Sequence, residues 1–326
     1  MPHLLRAQQF DIPLLETFFQ RADNFRRELG PALVNPLPIS KQSLSGSILF
    51  TVFYEPSTRT RYSFEVAGIR LGGSTVSTEN AREFSSAIKG ETLEDTIRVL
   101  CEYGPAAIVL RHFEEGAAER AANVSSCPII NAGDGAGQHP TQAHLDVYRI
   151  RRSHQRIDGL TVVIGGDLAH GRTARSLAYV LSKYGSVRLI FVAPPQLRMR
   201  QDILQHLQEH KIQFAEHDVL DEVVADADVV YWTRIQKERL GQSPWYKPWR
   251  RLLNTWRYTS IPKQYRITTQ TLACMKPTAI IMHPLPRNSE IDPAVDKDPR
   301  AMYFKQAGDG VPIRMAALEW VRGLLT

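Results

Sequence analysis

The sequence predicts an α/β protein built from two doubly wound parallel-sheet domains. Short apolar segments alternate with amphipathic segments, which is the pattern of parallel strands covered by helices. The alternation falls into two series, and 326 residues are enough for two domains of about 150 residues each. Polar residues gather where predicted strands end, and open parallel sheets place their binding crevices there.

Each predicted strand is a short apolar run, and each predicted helix is a longer amphipathic stretch. The first series consists of strand 47–53, helix 58–71, strand 74–77, helix 92–103, strand 106–111, helix 117–123 and strand 128–132. A helix over about 140–153 leads into the second series. That series consists of strand 160–165, helix 173–184, strand 187–192, helix 201–210, a short helix 220–225, strands 228–234 and 279–283, and a final helix 311–325.

Composition and charge exclude several classes of protein. Charged residues interrupt the N-terminal stretch in every window of ten, so we expect a cytoplasmic protein without a signal peptide or membrane partner. The net charge is +6, but residues 241–274 alone contain six basic residues and no acidic one. The rest of the chain is formally balanced, so a general nucleic-acid-binding face is not predicted.

Three cysteines, Cys101, Cys127 and Cys274, lie far apart in the sequence. They show no CxxC spacing and no even count, which argues against a metal site and against a disulfide framework. We therefore expect reduced thiols in the core of a cytosolic protein.

Residues 57–61 read STRTR and combine three hydroxyls with two guanidiniums after a predicted strand. Backbone N–H groups at the start of the following helix, together with Ser57, Thr58, Arg59 and Thr60, are donors that suit a phosphate dianion. The sequence therefore predicts an anion site. The alternative is an ordinary capped helix start with solvated arginines.

A second polar cluster lies in the glycine-rich turn 131–142, which brings His139 and Gln142 to a helix start. An imidazole and an amide at this position can hydrogen-bond a carbonyl oxygen or an amide of a ligand. Arg111 ends a neighbouring predicted strand and strengthens that interpretation. The alternative is a structural histidine.

The second series contains a strand, a glycine turn and a helix start over residues 162–173. The spacing is not GxGxxG, and Arg172 stands where a pyrophosphate requires small residues, so no dinucleotide cofactor is predicted. Arg172 lies at a predicted helix start, Arg234 ends a predicted strand, and both suit carboxylate ligands; the alternative for each is an ordinary salt bridge.

Two further segments stand out. Residues 79–91 are polar, so Ser85 and Lys89 are predicted to lie on a mobile loop; the alternative is a solvated loop without function. Residues 281–287 read IMHPLPR, and two prolines hold the intervening backbone carbonyls rigidly. Such carbonyls can accept hydrogen bonds from an amide.

In order, the motifs STRTR, HPTQ, GDLxxGRT, TRxQKER and HPLPR resemble the aspartate/ornithine carbamoyltransferase family over about residues 5–325. The resemblance implies a carbamoyl phosphate domain over residues 1–142, completed by helix 310–326, and an amino-acid domain over residues 143–309. It also implies a homotrimer with active sites between neighbouring chains, and leaves open whether regulatory or other chains assemble on it.

The same resemblance implies the roles of individual residues. Catalysis would depend on Arg59, Thr60, Arg111 and His139. Carbamoyl phosphate would be bound by Ser57, Thr58, Arg59, Thr60, Arg111, His139, Gln142, Pro284, Leu285 and Pro286. The amino-acid substrate would be bound by Lys89, Arg172, Arg234 and Gln236, with Ser85 and Lys89 on a loop that enters the adjacent subunit. No metal or cofactor is implied.

The acceptor is expected to be L-aspartate, which gives N-carbamoyl-L-aspartate and phosphate in pyrimidine biosynthesis. The chain reads HPLP at 283–286, where the ornithine branch typically has HCLP, and two arginines favour a dicarboxylate. The alternatives are another amine acceptor and a catalytically silent homologue that acts as a scaffold. Residues 239–268 depart from the family pattern, and we hypothesise an added contact surface there; the alternative is a self-packed surface loop.

Overall fold

The computed structural model describes residues 2–30, 42–234 and 265–325. The chain forms two compact units, one of Met1–Tyr148 with Ala307–Thr326 and one of Arg149–Gln306. Each unit contains one parallel sheet with helices around it. The predicted α/β class with two parallel sheets is therefore confirmed, whereas the domain limits implied by the family resemblance stay a prediction.

The first unit contains a four-stranded sheet in the order β2-β1-β3-β4. Its strands are β1 (Ile48–Phe53), β2 (Ser74–Glu79), β3 (Ala107–His112) and β4 (Ile129–Asp134). All neighbouring pairs are parallel. The inner strands β1 and β3 are nearly continuous apolar runs and almost fully buried, as expected for strands with helices on both faces. Each of these strands had been predicted to within a few residues.

The helices of the first unit are α1 (Ile12–Leu29), α2 (Thr58–Arg70), α3 (Ala81–Phe84), α4 (Leu93–Glu102), α5 (Ala117–Val124), α6 (Pro140–His154), which continues into the second unit, and α11 (Gly310–Val321). Helix α1 is absent from the predicted elements, which began at residue 47. Its start carries a clear signal, because the Asp11 carboxylate accepts a hydrogen bond from the Leu14 amide at 2.9 Å. Its apolar residues recur at helical spacing and are buried.

Helix α11 belongs to the first unit although it ends the chain. Two ion pairs hold it and its N-cap against α1: Arg21 binds Glu319 through two hydrogen bonds of 2.6 and 2.8 Å, and Arg26 binds Asp309 at 2.7 Å. Both carboxylates are buried, so losing either arginine would leave a charge without its partner in the core. The chain end is thereby anchored in the first unit.

The second unit contains a five-stranded parallel sheet in the order β7-β6-β5-β8-β9. Its strands are β5 (Thr161–Gly165), β6 (Arg188–Val192), β7 (Gln213–His217), β8 (Val229–Trp232) and β9 (Ile280–Met282). Its described helices are α7 (Arg172–Leu181), α8 (Gln201–Glu209), α9 (Thr269–Cys274) and α10 (Tyr303–Gly308), which ends in the first unit. The short helix predicted over 220–225 is wrong, because the chain forms two 3₁₀ turns there.

Close backbone approach fixes the end of β5 against β8. The Thr233 amide donates to the Gly165 carbonyl at 2.8 Å. A Cβ atom on Gly166 would lie 2.1 Å from the Thr233 carbonyl oxygen, and the φ angle of Gly166 is +105°. Only glycine fits both conditions. This contact fixes the point at which the chain leaves both strands, and therefore the backbone positions of Asp167 and Arg234.

We expect Gly166→Ala to lower the free energy of unfolding by about 2–4 kcal/mol, because it combines a backbone clash with a strained φ angle. Gly185→Ala is the matched control, since no atom lies within 4 Å of its Cβ position and its φ is not positive. That control should change the free energy by less than about 1 kcal/mol. Urea unfolding at equilibrium measures both, and equal effects would contradict the packing argument.

Candidate active site

In the first unit, α2 begins directly after the turn that follows β1. Ser57 occupies the N-cap position, but its side chain accepts no hydrogen bond from the first turn. The first turn contains no acidic residue either. The ordinary capped start, considered as the alternative from sequence, is therefore not what forms. The backbone N–H groups of this first turn, at the positive end of the helix dipole, therefore remain available to an acceptor other than Ser57.

Arg59 lies in this first turn and is exposed to solvent. Among the residues that the structure describes, no carboxylate pairs with its guanidinium, and the surrounding protein desolvates it enough to lower its pKa. Arginine nonetheless stays protonated at neutral pH. The start of α2 therefore carries a full positive charge beside uncapped amides.

Arg61 differs from Arg59, although it is only two residues away. Its guanidinium donates to the Ser77 hydroxyl at 3.0 Å and pairs with Glu79 at 2.9 Å. Glu65 lies 3.9 Å away on the same helix. These contacts tie α2 to the edge strand β2. Arg61 therefore has a structural role, because its guanidinium is committed to β2.

Thr60 and His139 come together at the ends of their elements. The Thr60 hydroxyl lies 3.5 Å from the His139 Nε2 atom, and both residues are buried. His139 directly precedes α6, and the Gln142 amide donates to its carbonyl at 3.0 Å. The structure thus brings Thr60, His139 and Gln142, all predicted site residues, to one region of the first unit.

The glycine-rich turn before His139 is organised by Asp134, which the sequence reading had not singled out. One carboxylate oxygen accepts from the Gln138 amide at 2.8 Å and from the Asn131 side chain at 3.1 Å. The other oxygen accepts from the Gly116 amide at 2.8 Å. An aspartate inside a glycine turn is a recognisable signal for such a loop. Asn131 is committed to this turn and is not a free donor at the strand end.

Gln142 is oriented by Asp146, one helical turn further along α6. The Gln142 Nε2 atom donates to the Asp146 carboxylate at 2.9 Å. A carboxylate can only accept, so the amide nitrogen must face Asp146 and the Oε1 atom faces away as an acceptor. Arg314 lies nearby in α11 and is fully buried, which lowers its pKa to about 9 although the charge of Asp146 acts in the opposite direction.

Arg111 is the next-to-last residue of β3. Its Nη1 atom donates to the Ala132 carbonyl at 3.3 Å, and Nη2 lies 3.6 Å from a carboxylate oxygen of Glu55. The side chain is 14% exposed. These two contacts position the guanidinium at the end of β3.

The loop that carries Ser85 and Lys89 is more regular than predicted. Residues 81–84 form α3, and Ser86–Lys89 form a 3₁₀ turn whose first amides are capped by the Ser85 hydroxyl at 3.2 Å. Lys89 is exposed, and its ammonium contacts no partner within the described residues. Local side-chain capping thus gives these residues short regular turns, and the mobility of the loop stays a prediction.

In the second unit, Arg172 is the first residue of α7 and is 9% exposed. The preceding turn is held by buried Asp167, whose carboxylate accepts from the His170 amide at 3.0 Å and contacts its ring at 3.1 Å. Arg234 follows β8 and is half-buried. Gln236, Arg239 and the tryptophan-rich residues up to 264 lie outside the described residues.

The HPLP segment, residues 283–286, follows β9, and its histidine is internal. The Leu285 amide donates to His283 Nδ1 at 2.8 Å, so this nitrogen must accept and Nε2 carries the proton toward Glu290 at 3.0 Å. Burial alone would raise the Glu290 pKa, but the bonds from His283 and the Asn288 amide lower it. His283 therefore shapes the turn and does not face a ligand.

Around that histidine, Pro284 and Leu285 are half-buried and Pro286 is exposed. Leu285 has a φ of +56°, which is unusual for a side chain of this size. Leu285 packs against the hydrophobic core of the second unit, and its amide is bonded to His283. Residues with unusual φ angles concentrate at functional sites. The assignment of these three residues to the carbamoyl group stays a prediction.

Two broader properties concern the described residues only. No cluster of three or more His, Cys, Asp or Glu side chains in residues 2–30, 42–234 and 265–325 has the arrangement needed to hold a metal ion. No helix in those ranges combines the length and apolar character that a membrane-spanning segment needs.

Comparison with known proteins gives consistent relatives. Aspartate carbamoyltransferase 1, chloroplastic, from Pisum sativum is 49% identical over 316 residues, which cover 97% of this chain and 77% of the relative. The aspartate carbamoyltransferase catalytic subunit of Methanoculleus marisnigri is 45% identical over 322 residues, with 98% and 99% coverage.

Solved structures similar to this chain are also aspartate transcarbamoylases. Aspartate transcarbamoylase from Trypanosoma cruzi, in complex with carbamoyl phosphate and aspartate, has a TM-score of 0.87 and 38% identity, and covers 98% of this chain and 96% of that one. The M. jannaschii catalytic subunit has a TM-score of 0.84 and 43% identity, with 99% and 98% coverage. The fold type implied by the sequence motifs is therefore confirmed.

Models of two domains match nearly the whole chain. Residues 2–152 match the carbamoyl-P binding domain of aspartate/ornithine carbamoyltransferase, and residues 158–321 match the Asp/Orn binding domain. Together with the relatives, these matches confirm the resemblance on which the residue assignments depend: the chain belongs to the aspartate/ornithine carbamoyltransferase family.

Proposed function

We propose that the protein is an aspartate carbamoyltransferase, a transferase that makes N-carbamoyl-L-aspartate and phosphate from carbamoyl phosphate and L-aspartate. The single observation that carries the proposal is the uncapped start of α2 with the guanidinium of Arg59, which no carboxylate of residues 2–30, 42–234 and 265–325 pairs. The names of the relatives supply the substrates, since they are called aspartate carbamoyltransferases and one solved relative binds both substrates. Pyrimidine biosynthesis is the pathway that this product serves.

The phosphate of carbamoyl phosphate is held by the start of α2. Ser57, Thr58 and Thr60 supply hydroxyls, the first amides supply N–H donors, and Arg59 supplies a planar fork that fits two phosphate oxygens. Arg111 adds a second guanidinium from β3. Two arginines and the helix dipole together match the charge of a phosphate dianion, which is why so many donors crowd into this segment.

The carbamoyl group is held at its two ends. Thr60, Arg111 and His139 donate toward the carbonyl oxygen, where negative charge grows when the amine attacks. Gln142 presents Oε1 as an acceptor for the carbamoyl nitrogen, because Asp146 occupies its own amide nitrogen. This orientation distinguishes a carbamoyl group from an acetyl group, which has no N–H to donate.

Aspartate is held by cationic and polar side chains. Arg172 and Arg234 carry charges that suit its two carboxylates, and Gln236 is the third residue assigned to it by the family resemblance. Ser85 and Lys89 are assigned to the active site of an adjacent subunit, so the active species is a homotrimer. The ammonium of Lys89 is exposed and contacts no partner among the described residues, which supports a role outside its own chain.

The reaction requires positioning and electrostatic stabilisation. The neutral amine of aspartate attacks the carbamoyl carbon, prearranged donors stabilise the tetrahedral oxyanion, and phosphate departs and can itself accept the proton. Removing one oxyanion donor in such a site costs about 3–4 kcal/mol of the activation barrier. No covalent nucleophile is required from the protein.

Location and assembly are narrower proposals. A cytoplasmic location stays a prediction. The plant relatives do not support it, since their names include the word chloroplastic. Binding to nucleic acid or membrane is not part of the proposal. The contact surface hypothesised for residues 239–268 lies largely outside the described residues, and removing residues 243–258 would test it through oligomer size.

Parallel assays with carbamoyl phosphate and aspartate, ornithine or another amine test the proposed reaction. We expect turnover with aspartate and less than about one per cent of that rate with ornithine, because a cationic acceptor would meet Arg172 and Arg234. Turnover with ornithine alone would assign the chain to the other branch of the family. Absence of turnover by a folded trimer with all amines would favour the silent-scaffold alternative.

Substitution separates Arg59 from Arg61. Arg59→Gln should lower kcat/KM for carbamoyl phosphate by about 10²–10³, the range found when one charged or oxyanion donor is removed. Arg61→Gln is the matched control and should change kcat/KM by less than about threefold, because Arg61 is bonded to Ser77 and Glu79. It should lower the free energy of unfolding by at most about 1 kcal/mol. Equal losses of kcat/KM in two variants of unchanged oligomer size would contradict the division of roles.

A further inference from the structure

Two of the three cysteines lie side by side, although 26 positions separate them in the sequence. The Sγ atoms of Cys101 and Cys127 are 3.4 Å apart. Cys101 is in the last turn of α4, and Cys127 lies two residues before β4 begins. A disulfide has a sulfur separation of about 2.05 Å, so closing one requires the two sulfur atoms to approach by only about 1.4 Å.

The two thiols have different environments. Cys101 is half-buried and reaches solvent, whereas Cys127 is buried. The Ser125 hydroxyl lies 3.2 Å from the Cys101 sulfur and 3.5 Å from the Cys127 sulfur. It also donates to the Cys127 carbonyl at 2.7 Å, which fixes its position between the thiols. The pair is thus part of an ordered polar cluster.

The surroundings of the two thiols shift their pKa values in opposite directions. Partial burial would raise the pKa of Cys101, but hydrogen bonding around its sulfur, which involves Ser125, Cys127 and Ser126, outweighs burial and lowers it. Burial raises the pKa of Cys127 to about 11. Because the thiolate is the reactive form, the accessible Cys101 is the attacking sulfur and Cys127 the protonated partner.

We propose that Cys101 and Cys127 form a thiol pair that a hydroperoxide converts reversibly into an intramolecular disulfide. The Cys101 thiolate attacks the terminal oxygen of the hydroperoxide, which breaks the O–O bond and gives a sulfenic acid and an alkoxide. When the oxidant is hydrogen peroxide, the leaving group is hydroxide, which is protonated to water. The Cys127 sulfur then displaces the sulfenic hydroxyl, its proton leaves with that hydroxyl as a second water, and the S–S bond forms. Both sulfurs are oxidised and the peroxide is reduced.

The bond would tie the end of α4 to the start of β4. The other end of α4 is already fixed, because the Thr92 hydroxyl accepts from the Asp95 amide at 3.1 Å and Glu91 accepts from the Thr96 hydroxyl at 3.1 Å. A covalent link closes a loop of about 26 residues and restricts the unfolded chain. Oxidation is therefore expected to raise the thermal midpoint by several degrees.

The first experiment uses the full chain with Cys274→Ser, because Cys274 is exposed and could cross-link separate molecules. After treatment with one equivalent of hydrogen peroxide, intact mass should fall by two hydrogen atoms per chain. Peptide mapping should join the peptides of Cys101 and Cys127, and dithiothreitol should reverse both changes. Two unmodified thiols under these conditions, or oxidation that produces only sulfinic acid, would overturn the proposal.

Single substitutions in the same background separate the two roles. With Cys127→Ser, the sulfenic acid at Cys101 has no partner and should be captured by dimedone; with Cys101→Ser, Cys127 should remain a free thiol. Capture at Cys127 at an equal rate would refute the order of attack. Thermal midpoints before and after oxidation form a second readout, and an unchanged midpoint in fully cross-linked protein would refute the stapling of α4.

Discussion

Arg59 carries a positive charge at the start of α2, and no carboxylate among the described residues neutralises it. A positive charge at a helix start is unfavourable by itself, because the helix dipole is also positive at that end. Partial exposure to water makes the arrangement tolerable, and an anion makes it favourable. The placement of Arg59 therefore lowers the local stability of the first unit but leaves hydrogen-bond donors available, as expected of a binding site.

Neighbouring contacts hold those donors in place without consuming them. Arg61 ties α2 to β2 and contributes mainly to stability. Asp134 organises the turn before His139, and Asp146 fixes the orientation of Gln142. In each pair one residue faces the proposed ligand and the other supports it. The supporting residues matter because donors bind well only when their direction is set in advance.

Local patterns predicted most of the fold. Buried parallel strands are short apolar runs, so each strand can be predicted from a few consecutive residues. The start of α2 can be predicted in the same way, because several donor side chains follow a strand directly. β7 was missed because it is an edge strand, QFAEH, with exposed and charged positions. The 3.4 Å contact between Cys101 and Cys127 was missed because it depends on where the end of α4 lies relative to the turn before β4, which no local spacing encodes. The expectation of three core thiols was accordingly wrong for exposed Cys274.

Direct binding of inorganic phosphate in the absence of aspartate tests the central electrostatic claim. Calorimetric titration should show one site per chain that weakens as ionic strength rises, because the interaction is charge-dominated and partly exposed. Thr58→Val should weaken this binding about tenfold through the loss of one hydroxyl donor, with the helix intact. Binding that is insensitive to salt and to this substitution would show that the start of α2 is not the phosphate site.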